Sequence, residues 1–168
     1  EAVASGITDI LIITNRGKGI IEDHFDRVPE LEANLISHDK RNLLGGIIES
    51  SKLANIYFIR QKEAKGLGHA IRCAKSFVGN EPFAVLYGDD VIVGKEPVCK
   101  QLIDAYDKYG LGVLGAKEVP EKDICKYGSL KVEHLVDNIF KCTDMVEKPT
   151  PDKVLSLYSI LGRCILTP

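Results

Sequence analysis

The apolar positions of this chain come in two alternating kinds. Ile10 to Thr14 (ILIIT) is short, continuous and β-branched, and Ile56 to Arg60 (IYFIR), Phe83 to Tyr87 (FAVLY) and Leu111 to Val119 also read as strands. Such runs suit strands buried on both faces of a sheet. Between them lie segments with a period near 3.6. Ile20 to Asn34 places Ile21, Phe25, Val28 and Leu31 about one turn apart, and Pro29 predicts a break or a second helix. Leu43 to Leu53 is helical but weakened by Gly45 and Gly46. His69 to Val78 is helical and stops at Gly79, and Val98 to Tyr109 carries an apolar stripe of Leu102, Ile103, Ala105 and Tyr106. Strand and helix in alternation predict an α/β fold, a mixed, mostly parallel sheet with helices on both faces. After residue 120 the pattern changes. Ser129 to Val132, Ile139 to Val146 and Ser159 to Leu166 read as strands with little helix between them, so antiparallel or irregular additions are expected. With no repeat, low-complexity tract or linker, residues 1–168 read as a single domain.

Composition narrows the classes. The profile is globular, with 45% hydrophobic and 27% charged residues. A net charge of -2 argues against a nucleic-acid groove or a polybasic membrane surface. No apolar run approaches the ~20 residues of a membrane helix, and no signal peptide is visible. Five dispersed cysteines without metal-ligand spacing fit reduced thiols in a cytoplasm. EAVASG reads as a helix tail stopped by Gly6, and ILTP closes a strand; both ends read as cut from something longer.

In open α/β sheets ligands lie beyond the carboxyl ends of strands, which singles out particular loops. Gln61 to His69 follows the second strand. Gly66 and Gly68 either serve turn geometry alone or let backbone approach a flat ligand, and Gln61 offers both a donor and an acceptor to a nucleobase edge. Gly88-Asp89-Asp90 follows the third strand. The two acids are either a solvated turn or cap, or a ligand for a hard divalent cation such as Mg2+. Glu147-Lys148-Pro149 is either an exposed ion pair or a carboxylate for sugar hydroxyls beside an ammonium for phosphate. Lys126-Tyr127-Gly128 is a plain turn or a point of backbone contact.

In order, Gln61…Gly66-Leu67-Gly68-His69-Ala70, Gly88-Asp89-Asp90, Lys126-Tyr127-Gly128, Val146-Glu147-Lys148-Pro149 and Leu161-Gly162-Arg163 resemble the bacterial UTP–glucose-1-phosphate uridylyltransferase (UDP-glucose pyrophosphorylase) family. The resemblance spans essentially the whole chain. It implies a Rossmann-like nucleotide-diphospho-sugar transferase fold, Mg2+ as cofactor, and UTP, glucose 1-phosphate and UDP-glucose as partners. It implies Gln61 and the Gly66 backbone at the uracil and Asp89 on the metal. Gly128 and Glu147 would hold the glucose, and Lys148 its phosphate. Gly88 would line the substrate, with Asp90 a supporting residue or substrate contact. Asp89 and Lys148 would be catalytic. It further implies a single nucleotidyltransferase domain, truncated at both ends, and a homo-oligomer at full length. A thymidylyl-type enzyme and a non-catalytic sugar-nucleotide-binding fragment are the alternatives.

Overall fold

The structure, a computed structural model, describes residues 1–168, the side chain of Ser50 excepted. The chain divides into two compact units, residues 1–81 and residues 82–168.

The first unit opens with a 3-10 turn, Val3–Ser5, closed by Gly6 at φ 88°, so the expected helix tail is one short turn with a left-handed glycine stop. Strand β1 (Asp9–Thr14) pairs in parallel with β2 (Asn55–Arg60), Ile10 opposite Ile56 and Thr14 opposite Arg60. Between them lie α1 (Gly19–Phe25), α2 (Pro29–Ser37) and α3 (Leu44–Ser50). Pro29 does not kink a helix; it starts α2, where its missing N–H costs nothing. After β2 come α4 (Leu67–Cys73) and the single turn α5 (Lys75–Val78), stopped by Gly79 at φ 63°. One helix was expected over 69–78; Ala74 interrupts it, with its N–H bonded to Ile71 O.

The second unit holds β3 (Phe83–Leu86), α6 (Val98–Tyr109), β4 (Val113–Glu118), α7 (Glu121–Ile124), β5 (Gly128–Val136), β6 (Ile139–Glu147) and β7 (Tyr158–Leu166). Helix α6 matches its expected bounds, buries Cys99 and Leu102, and ends at left-handed Gly110. Strands β3 and β4 share the direction expected of strands joined by a crossover helix, but they are not neighbours. β7 returns antiparallel between them, pairing Val85 and Leu114 with the same residue, Cys164. Among the described residues hydrogen-bonded parallel pairing is therefore confined to β1 and β2, while the later strands add antiparallel ladders. β5 and β6 form a long hairpin through Asp137, a turn residue at φ 50°.

The core of this unit gathers Cys99, Leu102, Val119, Ile124, Leu130, Cys164 and Ile165. Beneath it lies a hydroxyl network that closes the segment before β7. The buried Ser129 hydroxyl donates to Ser156 O (2.8 Å) and accepts from the Leu155 and Ser156 amides. Among the described residues no helix is long and apolar enough to cross a membrane.

Candidate functional site

In residues 1–81 the candidate machinery is the loop from β2 to α4. It starts from a fixed point, since the Gln61 amide donates to Thr14 O at 2.8 Å. Gly66 sits just before α4 at φ 85°, a conformation that L side chains rarely adopt, so this glycine is required by backbone geometry. Its carbonyl accepts two bonds, from the Ala70 N–H at 3.2 Å and from the Gln61 Nε2 at 3.0 Å. Gln61 Nε2 also faces His69 Nδ1 at 2.9 Å. Gln61 thus folds back on its own loop, and Gln61, Gly66 and His69 form one hydrogen-bonded unit. Gly68 lies inside α4 with open space where a Cβ would stand, so no steric demand accounts for it.

In residues 82–168 the second constellation forms around the end of β3. The turn at residues 88–90 is fastened to β7 by two kinds of bond. Asp90 Oδ2 accepts from the Gly162 N–H at 2.9 Å. The Arg163 guanidinium, only 5% exposed, reaches back along the other side. Its Nη2 donates to Asp90 O (2.6 Å), and its Nη1 donates to Tyr87 O (3.2 Å) and Gly162 O (2.7 Å). A Cβ at Gly162 would stand 2.1 Å from Asp90 Oδ2, so glycine there is a condition of the clamp. The two acids consequently differ: the carboxylate of Asp90 is bound to backbone, whereas Asp89 is exposed.

The remaining residues of this unit converge on the same end. Gly128 pairs with Glu147 across the β5–β6 ladder. Gly128 is buried, and a Cβ there would meet Glu147 Oε2 at 3.1 Å and Ile160 Cδ1 at 3.2 Å. Its lack of a side chain therefore leaves room for the Glu147 carboxylate. The Lys148 amide donates to Tyr127 O at 3.0 Å, while the lysine backbone is held at φ 45°. A left-handed lysine costs about 1–2 kcal/mol and persists only where surrounding contacts enforce it. Its ammonium lies 3.9 Å from Glu147 Oε1, an open surface pair in which both side chains are over two-thirds exposed.

Tyr87 shows how much negative charge collects here. Burial pushes its phenol up, and Cys164, Glu147, Asp90 and Asp89 push in the same direction. Separate sequence motifs thus place carboxylates within electrostatic reach of one side chain. Gly88 is exposed with open space where a Cβ would stand, and its backbone geometry places no demand for glycine. Tyr87 and Arg163 were not singled out as site residues from sequence. Arg163's signal was the Leu161-Gly162-Arg163 motif; Tyr87 reads as an ordinary strand end.

Among the described residues no group of three or more His, Cys, Asp and Glu side chains could cage a metal ion. A hard cation such as magnesium needs no such cage. It is commonly bound by one or two carboxylates, with water and substrate phosphate supplying the rest. The exposed Asp89, with Asp90 already committed to Gly162, fits that mode of binding.

The family model described as nucleotidyl transferase matches residues 1–162, crossing both units. A UTP–glucose-1-phosphate uridylyltransferase of Bacillus subtilis, YngB, is 48% identical over 99% of this chain. The chain spans 56% of that relative's length. A solved apo UDP-glucose pyrophosphorylase superposes with a TM-score of 0.92 at 36% identity, covering 99% of this chain and 62% of the other. A UTP-bound UGPase from Acinetobacter baumannii gives 0.91 at 33% identity, over 99% of this chain and 60% of the other. The α/β fold read from the alternating runs is that of these structures, and the chain belongs to the nucleotidyl transferase family.

Proposed function

We propose that the protein carrying this chain transfers a uridylyl group from UTP to glucose 1-phosphate, giving UDP-glucose and pyrophosphate. The observation that carries this reading is the 48% identity to a named uridylyltransferase along 99% of the chain. On this reading residues 1–168 work as one nucleotidyltransferase domain, and Mg2+ is the cofactor.

In the reaction an oxygen of the sugar phosphate attacks the α-phosphorus of UTP. A new P–O bond forms as the α–β phosphoanhydride bond breaks, and pyrophosphate leaves with the electron pair. The attacking oxygen is already anionic near neutral pH, because the second pKa of a phosphate monoester is about 6. No general base is needed, which fits the absence of a catalytic histidine or cysteine from the proposed roles. The obstacle is repulsion between two polyanions, so the chain's contribution is alignment and charge neutralisation. Magnesium, when bound, would supply positive charge to the phosphates.

Each residue then has a role its surroundings support. Gln61 and the Gly66 backbone meet the uracil. Asp89, exposed beside a clamped neighbour, is the metal ligand. Asp90 is a supporting residue: its carboxylate holds the turn through Gly162. Gly88 gives backbone to the substrate. Glu147, with room left by Gly128, accepts sugar hydroxyls. Lys148, its ammonium exposed on an enforced backbone, meets the phosphate.

The deciding experiment measures pyrophosphate release by the full-length protein from UTP and glucose 1-phosphate with Mg2+, against TTP and against the Asp89→Asn variant. Release that needs both substrates and Mg2+, and that collapses in Asp89→Asn with the fold intact, is expected. A preference for TTP would move the reading to the thymidylyl type. No release with any nucleotide would leave a non-catalytic binding module.

A further inference from the structure

We infer that His69 is a positioning residue that locks the Gln61 amide, so that Gln61 shows a nucleobase only a hydrogen-bond acceptor and thereby selects an imide base over cytosine. This rests on the proposed reading that Gln61 meets the base.

A glutamine amide has two donor hydrogens and a carbonyl oxygen, and from sequence alone either end could face a ligand. The loop removes that freedom. Gly66 O can only accept, so the group 3.0 Å from it must be the amide nitrogen. The same nitrogen lies 2.9 Å from His69 Nδ1, and its second hydrogen points to that ring atom. Both hydrogens are then used, and Nδ1 must be the unprotonated nitrogen of a neutral ring carrying its proton on Nε2. No hydrogen bond engages Gln61 Oε1 among the described residues.

Without His69 the amide would keep one spare donor. With it, the amide has a single free function, its acceptor oxygen. The Watson–Crick edge of uracil or thymine offers an N3–H donor between two carbonyls. Cytosine instead offers a lone pair at N3, which a carbonyl oxygen repels. A base-reading group that sets a fixed acceptor opposite N3 therefore excludes cytosine by leaving two lone pairs face to face, which discriminates more strongly than loss of a contact. Gly66, held at φ 85° with its carbonyl also tied to Ala70, supplies the second fixed point against which the amide is oriented.

The test is titration of the full-length protein with UTP and with CTP by calorimetry, in wild type, His69→Ala and His69→Asn. Wild type is expected to prefer UTP by at least about 10-fold. His69→Ala should lower that ratio about fivefold or more, because the released amide can turn. His69→Asn should restore it, since an Asn Oδ1 can accept near the place of Nδ1. Undiminished discrimination in His69→Ala would overturn the inference while leaving the base-reading role of Gln61 standing. Absence of any UTP preference in wild type would remove that role and the inference together. A readout independent of substitution is the 15N shifts of the His69 ring in the unmodified protein. The Nε2–H tautomer with bare Nδ1 is expected, and the Nδ1–H tautomer would overturn the lock.

Discussion

Residues 82–168 bury seven apolar side chains among the described residues, from Cys99 to Ile165, whereas residues 1–81 bury two, Leu35 and Ala74. The contrast extends to how each unit holds its candidate residues. In the first, Gln61 is fixed by partners five and eight residues away. In the second, Asp90 is fixed by Gly162 and Arg163, 72 and 73 residues away, through the strand that closes the sheet. A local loop can be altered without disturbing much else. A clamp made of the sheet's central strand cannot, so binding and stability should separate in the first unit and move together in the second.

The strongest test of that coupling in the second unit is Gly162→Ala. The added Cβ would stand 2.1 Å from Asp90 Oδ2 and 2.9 Å from the Tyr87 Cβ, too close to be absorbed without moving the turn. Overpacking of this kind typically costs 1–3 kcal/mol, and a value near the top of that range, about 3 kcal/mol, is expected in urea unfolding. Turnover should fall at least about 100-fold in the same variant, because Asp89 moves with the turn. A variant that keeps its stability but loses turnover would break the coupling.

Lys148→Gly sharpens the comparison from the other side, as the place in the second unit where the two effects should oppose each other. Glycine accepts φ 45° without strain, so the unfolding free energy should stay level or rise by up to about 1 kcal/mol, relief of strain offsetting glycine's greater freedom when unfolded. Turnover should fall by roughly 100-fold with loss of the ammonium, in the range seen when one charge-stabilising group is removed. A destabilised Lys148→Gly would mean that the side chain holds the fold rather than the phosphate.

Much of this was legible before the structure. Helix α6 was bounded to the residue because an amphipathic stripe ran into a glycine, and both signals are local. The stops at Gly6 and Gly79 were legible for the same reason. What could not be read was non-local. The change of pattern after residue 120 predicts an antiparallel addition, but no pattern within Ser159 to Leu166 says that this strand enters between β3 and β4. The four-residue helix α7 carries too short a pattern to register. The two adjacent acids look alike in sequence. Only the Gly162 amide separates them, by engaging Asp90 and leaving Asp89 exposed. In sequence Gln61 offers donor and acceptor together; the structure spends the donor on Gly66 and His69.

In the first unit Gln61→Leu should do the opposite of Gly162→Ala. Its side chain makes loop contacts only, so the unfolding free energy should change by less than about 1 kcal/mol, while calorimetric affinity for UTP falls about 10-fold. Equal losses of stability and affinity would show that this loop supports its unit as the clamp supports the other.

The smallest expected difference is the opposite pH response of the two units. In residues 1–81 the bidentate hydrogen bond from Arg27 holds the Glu32 carboxyl below its ordinary value of 4.5, and bonds from Thr8 and Asn55 lower Asp9. A depressed carboxyl stabilises the fold above its unfolded pKa, and the contribution is lost as pH falls through the folded one. In residues 82–168 the prominent shifts are upward. Burial raises the Cys164 thiol above 9.0, and burial with nearby negative charge raises the Tyr87 phenol above 10.0. Raised groups contribute below their unfolded pKa and lose that contribution as pH rises through the folded one. Acid below pH 4.5 should therefore loosen residues 1–81 first, and alkali above pH 9 should loosen residues 82–168 first. Hydrogen exchange by mass spectrometry, corrected for intrinsic rates and resolved by peptide, reads both limbs. Removing the Arg27 contact with Arg27→Met should flatten only the acid limb. If it flattens the alkaline limb as well, the two responses are not separate properties of the two units.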